Sequence, residues 1–254
     1  MILETNINHI RILKFSTGKT TNPFSYALME AVIEKLKAAD EDEDVKAIVL
    51  TGGEGNSFSA GGDFNEVRLM QNGMDVYTWI DNIYKLYTAV LKFSKPCIAA
   101  IDKHAIGIGF QLSLMCDYRV GTYNCEFALP ELKGGIACTL GGFLMDAFFG
   151  RAVMQDVIYK CNKIDSERAL SLALLNEVCS PEDLIQNSLE AADKLATYPL
   201  FSFNFTKKLL NERIIQDFDR FKATITLSHV IAIENKSGQK YYSSILKKPN
   251  PQEA

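Results

Sequence analysis

Thr51-Gly52-Gly53-Glu54-Gly55-Asn56-Ser57-Phe58-Ser59-Ala60-Gly61-Gly62-Asp63-Phe64 and, further on, Gly107-Ile108-Gly109-Phe110-Gln111 are the two stretches that decide the fold. Each follows a short apolar run, residues 46–51 (KAIVLT) and 97–101 (CIAAI). Runs of that length without alternation suit strands buried on both faces of a parallel sheet. The first stretch is not a nucleotide P-loop, because no Gly-Lys-Ser/Thr closes it. The second lacks the third glycine of a dinucleotide fingerprint, with Leu112 in its place. Tight turns alone account for either glycine cluster. Two such loops after neighbouring parallel strands also lie where open α/β sheets bind ligands. Their glycines let backbone N–H groups approach a carbonyl, and a helix starting at 107–109 adds a dipole that favours developing negative charge.

Outward from these loops, residues 8–14 alternate and read as a strand. Residues 25–39 have helical spacing, with Asn22 or Ser25 as the cap and Pro23 near the start. Asp40 to Asp44 form an acidic turn, residues 75–92 an amphipathic helix and residues 117–121 a strand. From about residue 140 the pattern is helical, over 151–160, 165–173, 182–197, 200–213 and 216–246, and Pro249 and Pro251 end the last helix. The expected organisation is an α/β core over 1–195, with a mostly parallel sheet, and a helical C-terminal region over 196–254.

The chain has 254 residues, 47% of them apolar, enough for one large α/β domain. Its 27 basic and 31 acidic residues leave a net charge of −4, so it lacks the basic footprint of a nucleic-acid binder. Cys97, Cys116, Cys125, Cys138, Cys161 and Cys179 form no CxxC pair and no metal-ligand spacing with histidine. They read as small buried hydrophobes in a reducing compartment. The N-terminus lacks a signal-peptide pattern, and no apolar run is long enough to span a membrane. The expectation is a cytoplasmic, soluble protein with no metal.

At this point the residues resemble a known family. Phe58-Ser59-Ala60-Gly61-Gly62-Asp63, then Ala105-Ile106-Gly107-Ile108-Gly109-Phe110-Gln111-Leu112, then Cys116-Asp117-Tyr118-Arg119, look like the crotonase (enoyl-CoA hydratase/isomerase) superfamily. The early Lys19-Thr20-Thr21-Asn22-Pro23-Phe24-Ser25, the later Pro130-Glu131 with Gly134-Gly135-Ile136, and the terminal Lys247-Lys248-Pro249 are similar to further family loops. The resemblance covers nearly the whole chain. It implies the ClpP/crotonase-like fold of repeated ββα turns, and trimers or hexamers built through the C-terminal helices.

The resemblance also implies roles. The N–H groups of Gly62 and Ile108 form an oxyanion hole for a thioester oxygen, with isoleucine where the family usually has glycine. Glu131 maps to one of the two glutamates of the hydratases, and Gln111 replaces the other. An amide cannot take a proton at neutral pH, so hydration by two carboxylates is in doubt. One carboxylate suits an isomerase that moves a C=C bond through a dienolate, with Glu131 shuttling the proton. A hydratase or dehydratase, and a non-catalytic thioester binder, remain as alternatives. Coenzyme A or phosphopantetheine is part of the substrate, on coenzyme A or a carrier protein, and no redox or metal cofactor is implied. Lys19, Lys247 and Lys248 are the residues for its phosphates, and Ala60, Gly61 and Gly62 for its adenine or pantetheine arm. Tyr241 and Tyr242 either line the acyl pocket or pack the last helix. Asp117 and Arg119 read as an ion pair or strand-end residues, and His104, His9 and His229 carry no motif. Ser59 lacks a nucleophile elbow. Both fatty-acid metabolism and a biosynthetic route such as polyketide assembly fit.

Overall fold

A computed structural model describes residues 1–236 together with Gly238 and Tyr241. In chain order the elements are β1 (Ile2–Ile7), β2 (Ile10–Phe15), α1 (Tyr26–Glu41), β3 (Ala47–Thr51), α2 (Phe64–Val67), α3 (Gly73–Lys92), β4 (Cys97–Ile101), β5 (His104–Ile106), α4 (Ile108–Leu114), β6 (Tyr118–Thr122), β7 (Glu126–Ala128), α5 (Thr139–Phe149), α6 (Arg151–Lys160), β8 (Ile164–Asp165), α7 (Ser166–Ser171), β9 (Glu177–Cys179), α8 (Leu184–Ala196) and α9 (Leu200–Glu234). The main sheet has the order β1-β2-β3-β4-β6-β9, and β5-β7-β8 form a second, small sheet. Only the β1–β2 hairpin is antiparallel within the main sheet.

Every residue of β3 and β4 is buried, as their apolar runs predict. The period of two along a strand then divides the core. Val49, Ile98 and Ala100 face Leu184 and Ala192 of α8 on one side of the sheet. Ile48, Leu50, Cys97 and Ala99 join the larger core on the other side, under α1 and α3. Helix α3 buries Val76, Trp79, Ile80, Ile83, Tyr84, Tyr87 and Leu91, a stripe at helical spacing. Phe218 of α9 packs against Tyr84 and Tyr87 of α3, with ring centroids 5.5 and 6.2 Å away, so α9 closes the same core.

The structure completes two expectations and corrects two others. The strand read at 8–14 is half of a hairpin. Its partner β1 is mostly exposed, as an edge strand can be, and therefore shows no buried-face pattern. Ser25, not Asn22, caps α1, accepting from Leu28 N at 3.2 Å, while Asn22 takes a positive φ and donates to Ser57 O. The run 165–173 begins in β8, and Asp165 caps the shorter α7. Residues 200–213 and 216–234 form one helix rather than two, because Ile214 and Ile215 contain no glycine or proline to stop it. The rest of the expected last helix, apart from Asn235, Lys236, Gly238 and Tyr241, and the prolines after it, lie outside the described residues.

Candidate active site

The first glycine-rich loop is sewn to the second. Ser59 N donates to His104 O at 3.0 Å and Ile106 N to Ser59 O at 2.9 Å, a parallel bridge between Ser59 and Ala105. On its other side Phe24 N donates to Gly61 O and Asp63 N to Phe24 O, both at 2.8 Å. Phe58 anchors the loop from below in an edge-to-face cluster with Phe15, which meets Phe24 in turn. This close approach requires glycine at 109, where a Cβ would sit 2.6 Å from Ser59 Cβ and 2.7 Å from its carbonyl oxygen. Gly107 holds φ 52°, the conformation that starts α4.

The result is a pair of backbone donors in one cleft. Ile108 opens α4, so its N–H has no carbonyl within the helix. The Gly62 N–H lies between two residues that both bond to Phe24. Among the described residues neither N–H has an acceptor. The two positions adjoin: a Cβ on Gly62 would lie 3.4 Å from Ile108 Cδ1 and 2.9 Å from Trp79 Cζ2. Ile108 thus keeps the N–H and adds a wall.

Glu131 faces these donors across the cleft, in the turn where Ile136 N returns to Glu131 O at 2.9 Å. Its Oε1 accepts from Gln111 Nε2 at 3.0 Å, and Gln111 Oε1 accepts from the Tyr87 hydroxyl at 2.9 Å. Among the described residues its buried Oε2 has no hydrogen-bond partner. Burial pushes the Glu131 pKa up, against a lowering by its backbone environment, the Cys138 thiol and the Gln111 amide. Burial also pushes the Tyr87 hydroxyl well up. A carboxylate in apolar surroundings with one free oxygen is a base suited to a weakly acidic C–H.

The cleft has a cavity volume of about 120 Å³ between the loops, α3, α5 and α9, with Ile80, Ile83, Ile136 and Leu140 on its walls. Ala60, Gly61, Gly62, Ile108, Gln111 and Glu131, expected at the site, all line it. Tyr241 lines it too, while Tyr242, Lys247 and Lys248 lie outside the described residues. Lys19 is half-exposed and bonds Asp63 at 3.1 Å, beside the Gly62 loop. The Ala60 N–H is taken by Thr21 O at 2.8 Å.

Several cleft residues are not legible as such in the sequence, three polar or aromatic ones among them. Trp79 and His229 come from the helices α3 and α9, and Thr139 from the start of α5. His229 Nδ1 sits 2.9 Å from Ile225 O, and burial lowers its pKa, so the neutral ring donates to that carbonyl. A helical stripe that reads as core gives no sign that one of its turns opens on a cavity. The Asp117–Arg119 pair does not form. Asp117 bonds Lys207 of α9 at 2.7 Å, and Arg119 donates to the carbonyls of Leu174 and Cys116. His104 contacts Ser57 and Glu126 and is not part of the cleft wall. All six cysteines are free and buried. Among the described residues no group of three or more His, Cys, Asp or Glu side chains could hold a metal ion. No described helix is long and apolar enough to cross a membrane.

Paired glycine-loop N–H groups and one buried carboxylate share this cleft at the end of the parallel sheet. The sequence profile of the enoyl-CoA hydratase/isomerase family matches residues 5–241, and the chain belongs to that family. It is a crotonase-family enzyme that processes acyl-CoA. It is 36% identical over 248 residues to the carboxymethylproline synthase of Pectobacterium carotovorum subsp. carotovorum, covering 98% of this chain and 99% of the relative. Among solved structures, ThnE from S. clavuligerus is 34% identical, with a TM-score of 0.73, covering 88% of this chain and all of that one. An enoyl-CoA hydratase from Bacillus halodurans, 18% identical, shares the fold at a TM-score of 0.87 over 96% of this chain and 99% of its own.

Proposed function

We propose that this enzyme generates the enolate of a short acyl-CoA thioester, holds it with the N–H groups of Gly62 and Ile108, and uses it as a carbon nucleophile. One observation carries the reading. The position that would hold a second carboxylate is Gln111, an amide hydrogen-bonded at both ends, which leaves Glu131 as the single proton-transfer group. Such a site makes an enolate but has no second carboxylate to deliver water. The similarity to a carboxymethylproline synthase favours carbon–carbon bond formation. A carboxymethyl group on a proline ring is the skeleton left when an acetyl-thioester enolate adds to the C=N carbon of a pyrroline carboxylate. The C=N electrons pass to nitrogen, which takes a proton, and water then cleaves the thioester to release coenzyme A.

The enolate has two chemical sources. Glu131 removes a C2 proton from acetyl-CoA, or malonyl-CoA loses CO2 and leaves the same electron pair on C2. Removal of one oxyanion donor in such sites costs about 10²–10³ in rate. The test is incubation with each thioester and a pyrroline carboxylate, followed by mass spectrometry for the carboxymethylproline adduct. Adduct formation supports the reading, and thioester consumption without any adduct in either arm overturns it.

A second reading is the double-bond shift of a 3-enoyl-CoA, which needs the same single base and the same oxyanion donors. Conjugated-enoyl absorbance rising from a 3-enoyl-CoA distinguishes it. Water addition to a 2-enoyl-CoA would instead support a hydratase, and thioester binding with no turnover a non-catalytic binder. For assembly, Phe201, Phe205 and Leu209 recur every fourth residue along α9 and are exposed, with Phe201 and Phe205 stacked at 5.9 Å. That apolar row supports a homotrimer or hexamer formed through the 196–254 region.

A further inference from the structure

The hydroxyl that ends the chain of bonds behind Glu131 belongs to Tyr87, a residue with no exposed surface, in the helix α3. Gln111, also buried, lies in α4, and Glu131 in the turn after β7. We propose that Tyr87 is a positioning residue for Glu131 that acts through Gln111: it holds the amide with Nε2 toward the carboxylate, so that Oε1 is occupied and Oε2 is the oxygen that meets the substrate. This inference rests on the reading of Glu131 as the acid/base.

The two ends of a glutamine amide have nearly the same shape but opposite hydrogen-bonding roles. Turned over, Gln111 would present a carbonyl lone pair to an ionised carboxylate. With Tyr87 donating to Oε1 at 2.9 Å and Nε2 donating to Glu131 at 3.0 Å, every dipole in the chain points toward the anion. Such chains strengthen each bond in turn inside a low-dielectric interior. Protonated Glu131 is served less well: an amide turned over to accept from the acid would direct its Nε2–H at the phenol oxygen, and the buried Tyr87 O–H would lose the acceptor it has in Gln111 Oε1. The chain of bonds therefore favours the ionised carboxylate. A phenylalanine at 87 breaks this. It leaves Gln111 Oε1 buried and unpaired, and it removes the donor that favours the ionised carboxylate.

The other titratable groups facing the carboxyl are Cys138, just before α5, and Tyr241, beyond α9. His229 of α9 shares the cleft. These stay in place in the variants, so they do not account for a difference between them.

The experiment needs no substrate. Full-length protein labelled with 13C at the glutamate Cδ is titrated by NMR, and the Glu131 signal is assigned by its loss in Glu131→Gln. Tyr87→Phe is expected to move the Glu131 midpoint to higher pH, and Gln111→Leu to move it at least as far. Adding Tyr87→Phe to Gln111→Leu is expected to move it no further. In turnover, Tyr87→Phe should lower kcat about tenfold with KM nearly unchanged, the effect of one lost charge-assisting bond. A Tyr87→Phe midpoint equal to that of the parent overturns the proposal. So does a full Tyr87→Phe shift that persists in the Gln111→Leu background, and an unmoved Gln111→Leu midpoint does so even if Tyr87→Phe does not fold. Wild-type turnover by Glu131→Gln would instead remove the assignment of Glu131 as the base, while the titration still reads the relay.

Discussion

Replacing Gly109 by alanine perturbs the oxyanion pair without touching either donor. A Cβ at 109 meets Ser59 Cβ at 2.6 Å and Ser59 O at 2.7 Å, well inside any ordinary carbon contact. The carbonyl is backbone and the β-carbon is fixed to it, so no flexible tip can move aside. The Ser59 strand segment must retreat from α4 by roughly 1 Å, since ordinary contacts of this kind lie near 3.5–4.0 Å. Ser59 lies only a few residues before Gly62, and both of its backbone groups bond the β5 segment. The retreat therefore carries the Gly62 N–H away from the Ile108 N–H. A misplacement of that size in a catalytic constellation costs on the order of 10²-fold in rate. Overpacking a filled interior costs about 1–3 kcal/mol of stability. Gly109→Ala is thus expected to fold, to unfold at lower denaturant, and to lose about 10²-fold in kcat. Chemical denaturation gives the first quantity, and consumption of the enzyme's acyl-CoA substrate gives the second. A stable Gly109→Ala protein with the parent's kcat would refute the argument that the close loop contact sets the donor spacing.

Four further outcomes follow from the same structure. Burial raises the Glu131 pKa in the folded protein, so activity that needs the carboxylate should fall as pH drops through a value above the ordinary glutamate range. The sign for stability is the reverse of a salt-bridged carboxylate. The charged form costs stability above the raised folded pKa, and that cost is relieved as pH falls toward the unfolded value. Glu131→Gln should therefore be more stable than the parent near neutrality, with the gap closing on acidification, as thermal melts across pH will read. Lys207 and Asp117 form an ion pair with side-chain exposures of 5% and 18%. Lys207→Met should cost about 1–3 kcal/mol by removing the cation from a carboxylate that keeps the Cys97 N–H at 2.8 Å, and adding Asp117→Asn should restore part of it in urea unfolding. Phe205→Glu, placed in the exposed row of α9, should shift any trimer or hexamer toward monomer in light scattering, and an unchanged mass would remove that row from the interface.

What could be read in the sequence was what short-range physics writes there. The runs at 46–51 and 97–101 are apolar throughout because both faces of β3 and β4 are covered. The glycines stand out for separate reasons: a Cβ at 109 would meet the Ser59 backbone, Gly61 and Gly107 take positive φ, and a Cβ at 62 would meet the Trp79 ring. Glu131 and Gln111 were named from the family resemblance, and both line the cleft. The missing parts depend on distance in the fold. Strands β5 and β7 have three residues each, too few to show a period. Trp79 and Tyr87 sit in a helical stripe indistinguishable from core, and only packing reveals that one turn faces a cavity and the next a glutamine. His229 comes from a helix more than a hundred residues after Gln111, and nothing local marks it.

The exchange of a carboxylate for an amide at position 111 changes more than the count of bases. Two ionised carboxylates in one apolar cleft would repel each other, and one of them would stay protonated or bind a water between them. Gln111 removes that repulsion and gives its N–H to Glu131 instead. One oxygen of Glu131 is then fixed, and among the described residues the other has no partner. The Gly62 and Ile108 N–H groups likewise lack an acceptor among the described residues. Together with the Thr139 hydroxyl, which is also buried without a described partner, they leave several unsatisfied polar groups in one largely apolar cleft. Unpaired buried groups are costly to the free protein, and in the proposed chemistry a thioester whose oxygen carries charge and whose α-carbon gives up or receives a proton would pair the two N–H groups and the carboxylate oxygen together. With Gln111 in place of a second carboxylate, the proposed enolate meets no second base that delivers water to it before it attacks carbon, and water is needed only afterwards to cleave the thioester.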